Sequence, residues 1–141
     1  RSLVGSEMCI RDRETDRKHS DSRVSERAAR EIYLKAFEYV IKGAKPWAVM
    51  SSYNIINGCY ASENKELLED ILRDEWGFDG MVTTDWWTLG EHYKEVKAGN
   101  DMKMACGDPK RLKEAMDQGL LTRQDLEHCA ERVLNLILKL D

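Results

Sequence analysis

Apolar residues recur at three- and four-residue steps in the segment that follows Ser25. Those at helical spacing are Ala29, Ile32, Ala36, Tyr39 and Val40. The spacing predicts an amphipathic helix with one apolar face. Ser25 is expected to be its N-cap, because its side chain can accept a backbone N–H, and Gly43 to be the left-handed residue that ends it.

Two short uncharged runs predict strands that are buried on both faces. The first run is 48–53, and the second is Met81–Thr84, which contains β-branched residues. Between them, Asn57–Gly58 predicts a turn. Asn64 is expected to cap a second amphipathic helix, which ends at Gly77.

The remainder of the chain is expected to form three helices and one brief strand. Thr122 and Asp125 form a capping-box pattern for the last helix. Strands that alternate with helices predict parallel βαβ units with helices covering the sheet. The expected ranges are a helix near 90–98, a strand near 101–105, and helices over 109–118 and 124–140.

Charge and composition exclude several classes of partner and cofactor. The chain of 141 residues has 26 acidic and 22 basic residues, a formal net charge of -4, and no basic patch. Nucleic acid and membranes are therefore not expected as partners. The four cysteines and three histidines lack the spacing of metal ligands, so free thiols and no metal or other cofactor are expected.

The first thirteen residues, RSLVGSEMCIRDR, have neither helical nor strand periodicity. They are similar to a translated sequencing-adapter read, a recurrent artefact of assembled sequence, and are expected to be disordered. Arg1 to Arg13 are therefore set aside, as an expression scar would be. The working domain is 14–141.

Asp85 directly follows the second predicted strand and precedes Trp86 and Trp87. At the carboxyl ends of parallel strands, the residue just past a strand points towards the active site in barrel folds. An indole packs well against a sugar ring, and an oxocarbenium-like transition state needs a nearby carboxylate. The alternative is that Asp85 caps the next helix while the tryptophans fill a core.

Several motifs occur in an order that resembles glycoside hydrolase family 3, with greatest similarity to its β-glucosidases. They are S-E-R-A-A-R-E-I-Y-L-K-A-F-E, A-V-M-S-S-Y-N-I-I-N-G, E-N-K-E-L-L-E-D-I-L-R-D-E-W-G-F-D-G-M-V-T-T-D-W and A-G-N-D-M-K-M. The resemblance covers nearly everything after Glu14. It implies the C-terminal part of the family's N-terminal (β/α)8 barrel domain.

The resemblance also implies roles for five side chains. Asp85 resembles the nucleophile of a retaining β-glycosidase, and Trp86 the indole that lines the sugar subsite. Tyr53 resembles the phenol beside the nucleophile, which could keep the carboxylate ionised and oriented. Met50 resembles a subsite wall, although a core position is an open alternative, and Arg17 resembles a sugar contact near the end of a loop.

The expected fold class is α/β, a partial (β/α)8 barrel with about three parallel strands and covering helices. A complete barrel takes about 250 residues, so an incomplete domain is expected.

Retention needs a second carboxyl group about 5 to 5.5 Å from the nucleophile, which the family generally supplies from another domain. Glu63 and Asp101 are expected to be structural instead. The isolated chain is thus expected to be inactive, although the parent protein is an enzyme.

Three alternatives stay open at this stage. Within the family, a β-xylosidase is the nearest alternative to a β-glucosidase acting on a β-linked glucoside or oligosaccharide. A carbohydrate-binding remnant could keep Trp86 and Trp87 without hydrolysis. A helix-turn-helix DNA reader built on the last two helices is disfavoured by the acidic balance. Compartment and oligomeric state are not predicted.

Overall fold

The structure, a computed structural model, describes residue 16 and residues 18–140. The predictions for Arg1 to Arg13 and for Arg17 fall outside those residues. Helices and short strands alternate along most of the chain. They are β1 (Asp21–Ser22), α1 (Glu26–Ala28), a π-helix (Ala29–Tyr33), α2 (Lys35–Ala44), β2 (Ala48–Ser51), β3 (Ile55–Ile56), β4 (Cys59–Tyr60), a 3-10 helix (Ala61–Glu63), a second π-helix (Glu66–Glu75), β5 (Met81–Thr84), α3 (His92–Lys97), α4 (Pro109–Asp117) and α5 (Arg123–Leu138).

The strands form two small sheets. β2 and β5 pair in parallel, with Ala48 opposite Met81 and Ser51 opposite Thr84. In the other sheet, β1 pairs in parallel with β3, and β3 and β4 form an antiparallel hairpin. The turn of that hairpin is Asn57–Gly58, where both residues have positive φ. The sequence therefore predicted this turn correctly, but not the hairpin around it.

One face of the β2–β5 pair packs against the helices. Val49 and Val82 belong to the hydrophobic core, together with Leu68 and Leu72 of the second π-helix. Each of those leucines is fully buried, and burial of such a side chain contributes about 1.5–3 kcal/mol. Alternation along a strand places Met50 and Thr83 on the opposite face. The α/β character and the covering helices are thus as predicted.

The third parallel strand expected near 101–105 is reduced to a single bridge between Thr83 and Met102. The N–H of Met104 donates to the side chain of Thr84, at 3.0 Å, rather than to a strand carbonyl. Ala105 then takes a left-handed conformation with φ of 62°. The ladder ends there because the next backbone groups have turned away from β5. This sheet therefore has two parallel strands and one bridge in place of the about three strands that were predicted.

The first long helix also ends later than predicted. Gly43 lies inside α2, and the left-handed residue is Lys45, with φ of 46°. Its N–H donates to the carbonyl of Ile41. Pro46 follows, and since proline disfavours helical geometry in the residue before it, the helix stops there. The assignment of the stop to Gly43 was wrong.

Most other helix ends agree with the sequence. The side chain of Ser25 accepts the N–H of Ala28, and that of Asn64 accepts the N–H of Leu67 at 3.1 Å. Gly77, with a φ of 71°, follows Trp76, the C-cap of the second π-helix. Both hydrogen bonds of the capping box between Thr122 and Asp125 are present. The local signals for these ends needed no knowledge of distant contacts.

A buried ion cluster lies at the amino-terminal end of β5. Asp101 accepts the N–H of Val82 at 2.7 Å and pairs with Arg73 at 2.9 Å. Arg132 of α5 pairs with the other oxygen of the same carboxylate, at 3.2 Å. Burial raises the pKa of Asp101, and these donors oppose that effect. The carboxylate joins three elements at the end of the strand remote from Asp85.

Three of the cysteines lie in the described part of the chain, and all three are free thiols: Cys59, Cys106 and Cys129. Burial raises the pKa of Cys129 to about 12. Cys9 lies outside the described residues.

Candidate functional site

Asp85 lies in the loop that leaves the carboxyl end of β5. Its N–H donates to the carbonyl of Ser51 at 2.9 Å, which extends the pairing between β2 and β5 by one step. A side-chain oxygen accepts the N–H of Trp86 at 2.6 Å. Alternation along β5 puts the Asp85 side chain on the same face as Thr83, opposite the core residue Val82. A half-buried carboxylate therefore stands at the carboxyl end of β5.

The alternative reading of this segment disagrees with the geometry. The next helix, α3, begins at His92 with Glu91 before it, so Asp85 does not cap that helix. Trp86 and Trp87 are 49% and 58% exposed, so neither fills a core. The carboxylate and the two indoles are instead presented together at the surface.

The two tryptophans form a tilted aromatic pair. Their ring centroids are 5.5 Å apart, with 52° between the ring planes. Trp87 has a φ of 56°, which is uncommon for a residue with a bulky side chain. Such backbone geometry costs about 1–3 kcal/mol and is found preferentially at functional sites. The loop thus presents two indoles at the surface, although the backbone conformation of Trp87 costs free energy.

Tyr53 lies two residues beyond the end of β2, at the same edge as Asp85. Its side chain is buried, and the ammonium of Lys18 lies 5.6 Å from the centroid of its ring. Lys18 also donates to the carbonyl of Trp87 at 3.4 Å. One cation therefore contacts both the phenol ring and the tryptophan loop. Lys18 was not among the predicted site residues, since nothing in its sequence context distinguishes it from a surface lysine.

Met50 lies in β2 opposite Thr83 and is half-buried. It occupies the same face of the strand pair that carries Asp85, below the carboxyl edge. Arg17 lies outside the described residues, so its predicted position near the sugar stays a prediction.

The two other carboxylates considered from the sequence make structural contacts. Glu63 accepts the N–H of Glu91 at 2.6 Å, where it holds the end of the Asp85 loop. Asp101 is enclosed in the ion cluster at the opposite end of β5. These contacts agree with the structural roles that were expected for both residues.

The described histidines are dispersed. His19 pairs with Asp16 at 2.6 Å at the surface, whereas burial lowers the pKa of His92. Among residue 16 and residues 18–140, no three or more His, Cys, Asp or Glu side chains are grouped so as to hold a metal ion. None of the helices in that part of the chain is long and apolar enough to span a membrane.

The family model that matches this chain is the glycosyl hydrolase family 3 N-terminal domain, over residues 12–136. Beta-glucosidase A of Butyrivibrio fibrisolvens is 58% identical over 120 residues, which cover 85% of this chain and 14% of that protein. An exo-alpha-(1->6)-L-arabinopyranosidase of Bifidobacterium longum is 42% identical over 127 residues, 89% of this chain and 17% of that protein.

Solved structures agree with these sequence matches. Beta-glucosidase 3B from Thermotoga neapolitana, in complex with glucose, has a TM-score of 0.84 and 41% identity, over 89% of this chain and 19% of that one. Beta-glucosidase from Kluyveromyces marxianus, also with glucose, has a TM-score of 0.87 and 35% identity, over 94% of this chain and 16% of that one. The chain therefore spans less than a fifth of the length of these four proteins.

Proposed function

Since the chain belongs to glycosyl hydrolase family 3, within that family's N-terminal domain, we propose that its parent protein hydrolyses O-glycosyl bonds. The proposed substrate is a β-linked glucoside or oligosaccharide, and the proposed outcome is retention of anomeric configuration. Residues 14–141 are proposed to be an incomplete (β/α)8 barrel domain. The relatives named beta-glucosidase support the substrate class.

The observation that carries this proposal is the position of Asp85. Its carboxylate follows the parallel strand β5, lies on the face opposite the core residue Val82, and is adjacent in the chain to Trp86, whose indole is exposed. Barrel enzymes place reacting groups at this end of their strands. We assign Asp85 the role of nucleophile on that basis.

The remaining site residues are proposed to bind the sugar. The Trp86 indole offers a flat apolar face to the C–H groups of a pyranose ring. The phenol of Tyr53 is assigned to orient the nucleophile, and Met50 to form part of the subsite wall. Arg17 is assigned a polar contact to the sugar, on the strength of the family resemblance.

The proposed reaction has two displacement steps. The Asp85 carboxylate attacks the anomeric carbon, the bond to the leaving oxygen breaks, and a second carboxylic acid gives that oxygen its proton. Water, deprotonated by the same second group, then cleaves the ester and releases the sugar. Glu63 and Asp101 are both committed to other contacts. We therefore place the acid/base in another part of the parent protein, and propose that this stretch alone does not catalyse hydrolysis.

A second candidate function is carbohydrate binding without hydrolysis. The exposure of both tryptophans favours it, because such a surface binds a sugar whether or not a reaction follows. Within catalysis, a β-xyloside is the nearest alternative substrate. The similarity to the arabinopyranosidase of Bifidobacterium longum adds an α-L-arabinopyranoside to the candidates.

The stereochemistry of the product tests the proposal. We expect the complete parent protein to convert an aryl β-D-glucoside first into β-glucose, because two inversions at the anomeric carbon restore its configuration. Proton NMR during the first minutes distinguishes the anomers before they equilibrate. Aryl β-D-xyloside and α-L-arabinopyranoside, assayed in parallel, rank the alternative substrates. An α-anomer as first product excludes the two-step reaction, and binding without turnover of any of the three favours the binding protein.

A further inference from the structure

One lysine, Lys103, makes two hydrogen bonds to the loop that carries Asp85. We refer to residues 85–91 as the nucleophile loop. The ammonium of Lys103 donates to the hydroxyl of Thr88 at 3.1 Å and to the carbonyl of Gly90 at 3.0 Å. A lysine head group has three donors, and two of them are spent on this loop.

The third donor of Lys103 goes to Glu95 of α3, at 2.5 Å. The two side chains are 6% and 1% exposed, so the pair is almost completely removed from water. Such a pair is weak evidence for stability, since well-packed apolar residues of similar volume often stabilise a fold equally well or better. A buried pair that also fixes a loop has a geometric role that apolar packing would not supply.

Glu95 links this pair to the strand beside Asp85. It accepts the hydroxyl of Ser62 at 2.8 Å through its other oxygen, and its carbonyl accepts the side-chain amide of Asn100 at 3.0 Å. Asn100 in turn accepts the hydroxyl of Ser51 at 2.6 Å. The carbonyl of Ser51 receives the N–H of Asp85. One buried polar network therefore contacts both the start and the end of the nucleophile loop.

The backbone of the loop lies so close to this network that any side chain at position 90 would require Glu95 to move. A Cβ on Gly90 would lie 2.6 Å from a carboxylate oxygen of Glu95 and 3.1 Å from a side-chain carbon of Glu63. Glu63 also accepts the N–H of Glu91. The far end of the loop is thus seated between two carboxylates.

We propose that Lys103 and Glu95 are positioning residues for Asp85, fixing the nucleophile loop so that the carboxylate and the Trp86 indole keep their places at the strand end. The inference rests on the proposed function of Asp85. Both side chains are buried, so neither is assigned a contact with the sugar. A displacement of a reacting group by about 1 Å can lower the rate about 100-fold. The position of the Asp85 carboxylate must therefore be fixed to well under that distance.

Three variants of the complete parent protein test this inference. Lys103→Met removes all three donors while keeping the length of the side chain. We expect its kcat on an aryl β-glucoside to fall about 10- to 100-fold, with KM changed less than about threefold, because the loss concerns geometry rather than ground-state binding. Lys103→Arg keeps a cation with several donors and is expected to recover most of the lost kcat.

The third variant separates positioning from stability. Glu95→Gln combined with Lys103→Met removes both charges, so no unpaired charge stays buried and the thermal midpoint is expected to recover. Its kcat is expected to stay low, since Thr88 and Gly90 still lack their donor. The matched control is Arg132→Met, which removes a cation from the ion cluster at the opposite end of β5 and is expected to leave kcat unchanged.

Amide exchange gives a readout that does not depend on activity. In Lys103→Met, the N–H groups of residues 86–91 are expected to exchange faster by about tenfold or more, whereas in Arg132→Met they are expected to exchange as in the unaltered protein. Wild-type kcat with unaltered exchange in the Lys103→Met loop would overturn the inference, even if Asp85 proves essential. If kcat fell equally in Arg132→Met, the loss in Lys103→Met would be explained by general destabilisation of the domain. That result would also overturn the inference. If the parent protein hydrolyses no glycoside, the proposed function fails. That result is distinct from a failure of the inference about Lys103 and Glu95.

Discussion

Replacing Asp85 with alanine in the complete parent protein is expected to lower kcat on an aryl β-glucoside by about three orders of magnitude or more. The carboxylate forms a covalent bond in the first step, so no neighbouring group can take its place. Asp85 lies in a loop, and the substitution removes the side-chain hydrogen bond to the N–H of Trp86 but keeps the backbone hydrogen bond to Ser51. The variant should therefore fold with a thermal midpoint close to that of the unaltered protein.

Added azide distinguishes a missing nucleophile from a damaged site. In Asp85→Ala the small anion can enter the space of the lost carboxylate and attack the anomeric carbon once. The expected product is the α-glycosyl azide, with inverted configuration, at a rate that rises with azide concentration. Asp79→Ala is the control, since the Asp79 side chain is 83% exposed and forms an ion pair with Lys139 at 3.5 Å. Full turnover by Asp85→Ala without azide would contradict the assignment.

The second large effect is expected from Asp101→Ala, which should lower the free energy of unfolding by about 3 to 5 kcal/mol. The substitution leaves the buried guanidinium of Arg73 without its closest carboxylate and removes the acceptor for the N–H of Val82. Arg132 loses a partner as well, although it keeps Glu69 at 3.2 Å. Arg73 then keeps only the more distant carboxylate of Glu69, at 3.5 Å, and this poorly paired buried charge dominates the loss.

Urea unfolding followed by tryptophan fluorescence measures this effect. The midpoint is expected to fall while the slope stays the same, because the surface exposed on unfolding does not change. Asp79→Ala again serves as the matched control: it removes a carboxylate from an exposed ion pair, and such pairs contribute little. Equal midpoints for the two variants would show that the Asp101 cluster does not hold the domain together.

Local signals predicted the ends of elements well. Ser25, Asn64 and the capping box of Thr122 and Asp125 all make the hydrogen bonds that their residue types favour. Each of these contacts lies within one turn of helix, so no distant residue has to be known. The second strand, Met81–Thr84, was also placed at its observed bounds.

Predictions that depended on distant contacts were less successful. Gly43 was expected to end the first long helix, but helical geometry continues to Ala44 because Lys45 can take the left-handed conformation before Pro46. The strand expected near 101–105 contains Lys103, whose charge is satisfied by Glu95 on another element. A lysine in the middle of the run M-K-M was itself a signal that this stretch is more than a buried strand.

In the candidate site, too, features that depend on local sequence were predictable and features that depend on distant contacts were not. The position of Asp85 after a strand, followed by two tryptophans, was visible in the sequence, and the exposure of the indoles agrees with a surface role. The network that joins Lys103 to the nucleophile loop spans several elements. Its members are ordinary polar residues in the sequence, and only their positions in the fold bring them together.

Trapping the covalent intermediate tests the central claim most directly. A 2-deoxy-2-fluoro-β-glucoside with an activated leaving group slows both steps, because fluorine next to the anomeric carbon destabilises the oxocarbenium-like transition states. The good leaving group keeps the first step faster than the second, so the glycosyl-enzyme accumulates. Peptide mapping by mass spectrometry of the complete protein is expected to find the sugar as an ester on Asp85. A sugar attached to any other residue, or steady turnover without a covalent adduct, would contradict the assignment.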